Sequence, residues 1–429
     1  MNFGPAAGRI RFWIGLAGAC AILAAGVLIP LSRFGTNRDI AGIRFGHAEW
    51  MMGDFKSVAY YPARAFADGK NPYDVARYTA AYPAPEPFRF YPPVTLILHF
   101  PIATLPVEAA MTVQFALTVL LTGVLAVLSL RLAGARASLP ILFATWGAVL
   151  LSRPGHWNLV LGQLTLPVVL ACYLAIALDG RQFILVGVAL AAALLKPSFG
   201  IPLAVLMIAR GQLRAVAAGL AMTALVNAPV VLVLAARSGG LANLMRMVIR
   251  EEHVLESLTL ALNRVDLTAL LARLSGRSIG SAGAAIVAAA VLGGAVWALR
   301  ARRRRGAPSP VLDATETGIV CSAILLCTYH ITYDFLLLTW PIVSLATMRR
   351  RFGAQATGRR WLALGLYGVI AVNYLSAQSV IRAIEAGGSL SLALASINGA
   401  ALLGLFLVYL HDSVKPALHG GALQPQPAL

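Results

Sequence analysis

The sequence predicts an all-α, multi-pass membrane fold, and three observations lead there. Only 12% of its 429 residues are charged, about half the roughly 25% of a soluble domain. Hydrophobic residues make up 59% of the chain, and the mean hydropathy is +0.76. Apolar runs of about 20 residues, the length that crosses a hydrocarbon core, recur from one end to the other. A soluble enzyme, a disordered scaffold and a secreted disulfide protein are all excluded by that surface. The four cysteines, Cys20, Cys172, Cys321 and Cys327, sit in apolar stretches without metal-ligand spacing, so they read as small apolar residues.

The first span follows Arg9 and Arg11 and covers 12–31, too long for the apolar region of a cleaved signal peptide. Further spans are expected at 107–130, 138–153, 158–178, 183–196, 198–210, 213–236, 279–299, 313–328, 333–347, 361–380 and 389–410, about twelve in all. The division at Lys196–Pro197 is the one that could merge two spans into a single broken one. The stretch 92–105, rich in proline, is too short to cross and reads as re-entrant. The whole of 1–429 reads as one integral-membrane domain. Its long outer segments are 32–106, holding the first loop and the re-entrant stretch, and 237–278. No internal repeat is visible.

With the N-terminus inside, cytoplasmic segments collect eighteen of the 35 basic residues, among them Arg131, Arg210, Arg214, Arg302–Arg305 and Arg349–Arg351, against four of the 17 acids. The net charge of +18 is therefore topological. Arg302–Arg305 reads as an anchor on anionic lipid rather than as a nucleic-acid site. Both termini are expected in the cytoplasm of a bacterial inner (plasma) membrane, with the two long loops outside.

In the first loop Asp54 opens a helical stretch whose Val58, Tyr61, Ala65 and Phe66 share a face, closed by Asp68-Gly69. This predicts an amphipathic helix on the membrane surface, with Tyr60 and Tyr61 at headgroup depth. On the residues alone, Asp54 is first of all an N-cap. Polar residues also gather near the outer span ends: Arg153 and His156, Gln163, Lys196, and His330 with Asp334. Ionisable groups at membrane depth are costly, and they either line a shared outward cavity or form scattered structural pairs. In the second loop Glu252, His253 and Glu256 share a helical face. A metal there is conceivable, but a solvated helix with Arg246 and Arg250 explains them more simply.

These residues carry a resemblance. Asp54 after the first span, then Gly69-Lys70-Asn71-Pro72-Tyr73-Asp74, Phe90-Tyr91-Pro92-Pro93 and Leu105-Pro106, then Gly162-Gln163 and Leu195-Lys196-Pro197, resemble in order the polyprenyl-phosphate-sugar-dependent glycosyltransferases of family 87, which include the phosphatidylinositol mannoside mannosyltransferases. The chain departs from the family at Thr165, where Asn is frequent, and over 327–334, where many members carry Ser-Pro, Trp and His. The resemblance implies a GT-C fold, an active site facing the periplasm or exterior, a polyprenyl-phosphate-linked sugar (mannose or a related hexose) and a lipid or glycan acceptor, with membrane lipids as the other partners and no nucleic acid. It also implies an inverting transfer and places the catalytic carboxylate at Asp54, against the cap reading.

The chemistry is coherent. A phosphate leaves without a proton, so one base suffices to take the acceptor hydroxyl's proton. Lys196, His330, Arg153 and Arg89 are the expected donor-phosphate ligands. Asn71, Tyr73, Tyr91, His156, Gln163, Tyr333 and Asp334 are the expected substrate-binding residues. No cofactor is expected, with a divalent ion left open. The competing readings are a transporter or flippase, which would place charges at mid-bilayer on paired broken helices, and a non-catalytic membrane scaffold.

Overall fold

The computed structural model describes residues 5–33, 51–89, 91–178, 180–258, 264–304, 314–347, 354–376 and 389–414. Among these residues the chain is helical throughout. Its sole bridge between extended segments joins Arg264 to Ile331. Five helices are long and apolar enough to cross a membrane: α1 (Pro5–Arg33), α6 (Val107–Leu132), α12 (Leu213–Arg237), α15 (Gly280–Arg304) and α19 (Ser389–Val414). Leu225 and Leu232 on α12 and Ile286 on α15 are each at least 70% exposed, as lipid-facing side chains are when the hydrocarbon is the solvent.

Shorter elements fill the space between. These are α7 (Leu139–Leu151), α8 (Arg153–Leu161), α9 (Thr165–Ala177), α10 (Phe183–Ala193), α11 (Pro197–Ala209), α16 (Ala314–Cys327), α17 (Thr339–Thr347) and α18 (Ala354–Val372). The expected span 158–178 is not continuous. Gly162 takes a left-handed conformation (φ 68°) and ends α8, and α9 starts three residues later. The expected span 333–347 likewise opens in a 3₁₀ segment, Thr332–Leu338, before α17. At Lys196–Pro197 the chain does divide. Lys196 is extended and Pro197 starts α11, because proline suits a first helical turn and disfavours helix in the residue before it.

The core runs through α9, α10, α11, α16, the 332–347 segment and α19, with Leu190, Phe199, Leu203, Ile324, Trp340 and Leu402 buried in it. Small residues let the backbones meet. A Cβ on Gly187 of α10 would lie 3.1 Å from the Gly219 nitrogen of α12, the close approach by which helices associate when lipid offers no hydrophobic drive.

The bundle has two chemically distinct ends. At one, Arg210 after α11 donates to the Ile176 carbonyl of α9 (3.3 Å), and Arg303 of α15 donates to the Arg210 carbonyl (2.8 Å). Arg302 there pairs with Glu316 of α16 (3.7 Å), and Arg359 of α18 with Asp412 of α19 (3.2 Å). The opposite ends of α9, α11 and α16 carry Thr165, Lys196 and His330.

The segment after α1 corrects two expectations. Residues from Phe55 to Tyr60 are wound as a π-helix, and α2 (Tyr61–Ala67) continues them. Each residue of the wider i→i+5 winding turns through a smaller angle than in an α-helix, which shifts the buried face. Phe55, Ala59, Tyr60 and Ala63 are buried against Ala103, Ala110, Phe115, Leu150 and Leu159, while Val58 and Tyr61 are only partly buried. The Tyr60 hydroxyl donates to the Leu105 carbonyl (2.8 Å), so this tyrosine is locked into the protein. Asp54 itself has helical angles and makes no side-chain cap bond. The cap reading fails.

Beyond it come α3 (Val75–Ala81), α4 (Val94–Leu98) and α5 (Phe100–Ala103), the last two occupying the expected re-entrant stretch. The second loop holds α13 (Leu241–Leu258) and α14 (Leu267–Ser275). Glu252, His253 and Glu256 lie on α13, with side chains outside the described residues. Phe90 lies outside them too.

Candidate active site

Four interruptions in the helical backbone converge on one cluster of polar side chains. The first is the approach to the π-helix. Met52 is left-handed (φ 53°), and its nitrogen donates to the Val160 carbonyl of α8 (2.9 Å). The second is Gly162. A Cβ there would collide with Met52 Sδ and lie 2.7 Å from Phe55 Cβ, so glycine is needed both for the turn and for the contact. That contact seats Gln163 beside Asp54. The third is the extended Lys196 between α10 and α11. The fourth is the non-helical run after α16, where the His330 carbonyl accepts from the Val265 nitrogen (3.0 Å).

The Gln163 amide donates to Asp54 Oδ2 and to the Tyr333 hydroxyl (2.8 Å). Next along the chain, Asp334 is the hub of a second group. Its Oδ1 accepts from Lys196 Nζ (2.6 Å) and from Thr165 Oγ1 (3.0 Å). Its Oδ2 accepts from the His330 ring (2.9 Å) and from the Ile331 nitrogen (3.1 Å). Thr165 Oγ1 also accepts from Lys196 (3.3 Å). The Lys196 ammonium sits 4.8 Å from the centre of the Tyr333 ring and 5.2 Å from that of Phe199, which adds cation–π attraction. Lysine has three N–H groups, and among the described residues two of those on Lys196 are taken, which leaves one for a ligand.

Asp54 stands apart, and among the described residues it accepts one side-chain hydrogen bond, from Gln163. Burial raises its pKa from 3.8 to about 6, with the Gln163 bond and the Lys196 charge pulling the other way and Glu86 and Asp334 adding to the rise. It is still partly accessible. A carboxylate with a pKa near neutrality, within reach of solvent, suits proton abstraction.

The remaining expected residues divide into three groups. Tyr91 belongs near the cluster. Burial first, and then the charges of Asp54 and Asp334, raise its hydroxyl pKa well above 10. Arg89 faces the carboxylate of Glu86 electrostatically. Glu86 is anchored to the Asp54 helix by its nitrogen, which donates to Ser57 Oγ (2.9 Å). Asn71 and Tyr73 build the loop. Asn71 Oδ1 accepts from the Tyr73 nitrogen (3.0 Å), and its amide donates to Ser238 Oγ (2.9 Å). The Tyr73 hydroxyl donates to the Tyr91 carbonyl (2.6 Å). Arg153 and His156 are turned toward another seam, where Arg153 donates to the Asn373 carbonyl (2.6 Å) and the His156 ring meets Tyr374 edge-on.

A family comparison decides the class. The model of glycosyltransferase family 87 matches residues 89–328, more than half of the chain. This chain belongs to glycosyltransferase family 87. No match was found among the curated proteins or the solved structures. It is thus an all-α membrane protein of a glycosyltransferase family. Asp54 precedes the matched stretch and His330–Asp334 follow it, yet the fold brings both onto Gln163 and Lys196 inside it.

Sequence reasoning passed over Glu86, Tyr329 and Thr165 as site residues. Thr165 carried a signal, since it stands two residues after Gln163 where the family often has Asn, another residue that both donates and accepts. Tyr329 lies under the Arg264 guanidinium (4.9 Å), which is itself bidentate to Asp266 at 2.9 Å. No spacing rule points to Glu86 or to that pair.

Proposed function

We propose that this glycosyltransferase moves a hexose, mannose first among them, from a polyprenyl-phosphate donor to a lipid or glycan acceptor. Transfer inverts the anomeric centre and takes place on the extracytoplasmic side of the inner membrane, with both termini inside. The observation that carries the reading is Asp54, an uncapped carboxylate of raised pKa held by one amide beside a separate cationic group.

Asp54 takes the proton of the acceptor hydroxyl as that oxygen bonds to the anomeric carbon. The bond from that carbon to the phosphate oxygen breaks, and its electrons leave with the phosphate, which needs no proton. Lys196, oriented by Asp334 and Thr165, offers its remaining N–H to the growing charge. Tyr91 and Tyr333 flank the sugar. Support for the orientation comes from the helices. α9 and α11 run from the site to the arginine-rich end, and α16 runs back, so a cytoplasmic arginine end puts the site outside. The apolar sides of the bundle suit a polyprenyl chain, and the shorter helices stack between the long ones as one domain.

Detergent-purified protein, given a panel of polyprenyl-phosphate sugars and membrane lipid extract as acceptor, tests this by release of polyprenyl phosphate. Wild type should release it and a folded Asp54→Asn variant should not. Equal release by both would remove Asp54 as the base, and no release from any donor would overturn the donor class.

A further inference from the structure

His330 is fully buried, so its ring cannot reach a substrate, yet both its nitrogens are engaged. Nδ1 lies 2.9 Å from Asp334 Oδ2. That carboxylate, 2.6 Å from the Lys196 ammonium, is ionised and can only accept. Nε2 lies 3.2 Å from the Ser198 carbonyl oxygen and 3.3 Å from Thr328 Oγ1. Thr328 Oγ1 is in turn 2.9 Å from the same Ser198 carbonyl. The Thr328 hydroxyl donates to that carbonyl, the shorter of its two contacts, so lone pairs of Thr328 face the ring. Among the described residues, every atom hydrogen-bonded to the imidazole is therefore an acceptor. A neutral imidazole has one nitrogen that must itself accept, and among the described residues, with the Thr328 hydrogen on Ser198, neither has a donor.

We propose that His330 is a buried imidazolium that acts as a positioning residue, clamping Asp334 to the start of α11. Two positive charges and one negative then leave the Lys196–Asp334–His330 group with a net positive charge facing Asp54. The groups around the ring are consistent with this. Tyr329, Tyr333 and Asp334 come from its own segment and Lys196 from the α10–α11 junction. Arg264 and Asp266, paired with each other, lie on the segment whose Val265 nitrogen bonds the His330 carbonyl. The Phe199 ring packs at right angles to the imidazole, 4.6 Å away, and closes it from water.

In the transferase, on which the kinetic half of this inference rests, the clamp has two effects. It fixes the Asp334 oxygen that aims Lys196, and it leaves a cationic surplus to offset the departing phosphate. Asp334 alone would neutralise Lys196. With His330 charged, the surplus survives.

The test uses the full-length protein in detergent with ¹⁵N-labelled histidine. The His330 signal is the one among seven histidines that disappears in His330→Gln. Both ring nitrogens should show protonated shifts at pH 7.5, and a ring with one bare nitrogen at that pH would overturn the proposal. The second readout is donor kinetics of His330→Asn, which keeps an N–H toward Asp334, and His330→Gln, which keeps one toward Ser198. Each should lose ~10- to 100-fold in kcat, the worth of a hydrogen bond to a charged group, with donor KM little changed. A raised donor KM at unchanged kcat would mean that His330 touches the donor and is no positioning residue. The ring spectrum does not depend on turnover, so a failure of the transferase reading and a failure of this one are told apart.

Discussion

Asp54 and Asp334 are linked through Gln163 and Tyr333, but their surroundings are opposite. Asp334 is fully buried and accepts four hydrogen bonds, two of them from the lysine and histidine side chains. Asp54 is partly open, and one amide bonds it. A carboxylate saturated with donors holds its charge and cannot take a proton without breaking those bonds. The poorly satisfied one can. On the function proposed above, that difference gives architecture to Asp334 and chemistry to Asp54, two aspartates a short network apart.

The largest break in that comparison should come from Asp54→Asn. Transfer should fall by about 10²- to 10⁴-fold, the usual worth of a general base, while the protein keeps or gains stability. The sign follows from the pKa. Asp54 stands at about 6 in the fold and 3.8 outside it, so folding is favoured as pH falls through 6 and carries a cost above it, of order 2–3 kcal/mol. An amide removes that cost, and a thermal melt at pH 8 checks it.

Asp334→Asn should do the reverse, costing about 3–5 kcal/mol of stability by leaving Lys196 and His330 buried without their anion. A melt that stays put would sink the architectural reading.

Smaller is Gly162→Ala. It forces a left-handed alanine against Met52 and Phe55 and should cost about 1–3 kcal/mol, read as lost activity together with a lowered melting midpoint. Smallest is Gln163→Leu. Its amide lowers the Asp54 pKa, so the acid limb of the pH–rate profile, expected near pH 6 in the wild type, should move upward. A limb that stays or moves down would detach Gln163 from Asp54.

Much of this was legible in the sequence, and the exceptions share a cause. Hydropathy and the placement of arginine identified the helical membrane bundle, since both follow from the solvent and need no partner. Asp54, Gln163, Lys196, His330 and Asp334 were each visible as polar residues near span ends. Which of them met could not be read, because the meeting depends on helix breaks at Gly162 and Lys196 whose directions are set by tertiary packing. Arg153 and His156 looked like members of the same set, but α8 turns them toward Asn373 and Tyr374. The π-helix was hidden as well. Nothing in the run from Phe55 to Tyr60 marks a wider winding, and counting by 3.6 found Ala65 but missed Phe55, Ala59 and Ala63 on the buried face.

The short helices have one more consequence. α9 and α11 are 13 residues each, about 20 Å of rise against a hydrocarbon core of roughly 30 Å. Starting from the arginine-rich surface, they stop about 10 Å before the far headgroups. In the orientation proposed above, the floor of the site is therefore sunk about 10 Å below the headgroups, among the acyl chains. The lipid-linked donor and lipid acceptor proposed above, diffusing laterally in that leaflet, can meet there without either being lifted into water. Encounter is then a search over an area rather than a volume, and the turnover of such a catalyst should follow the mole fraction of substrate in the bilayer or micelle, not its bulk molarity.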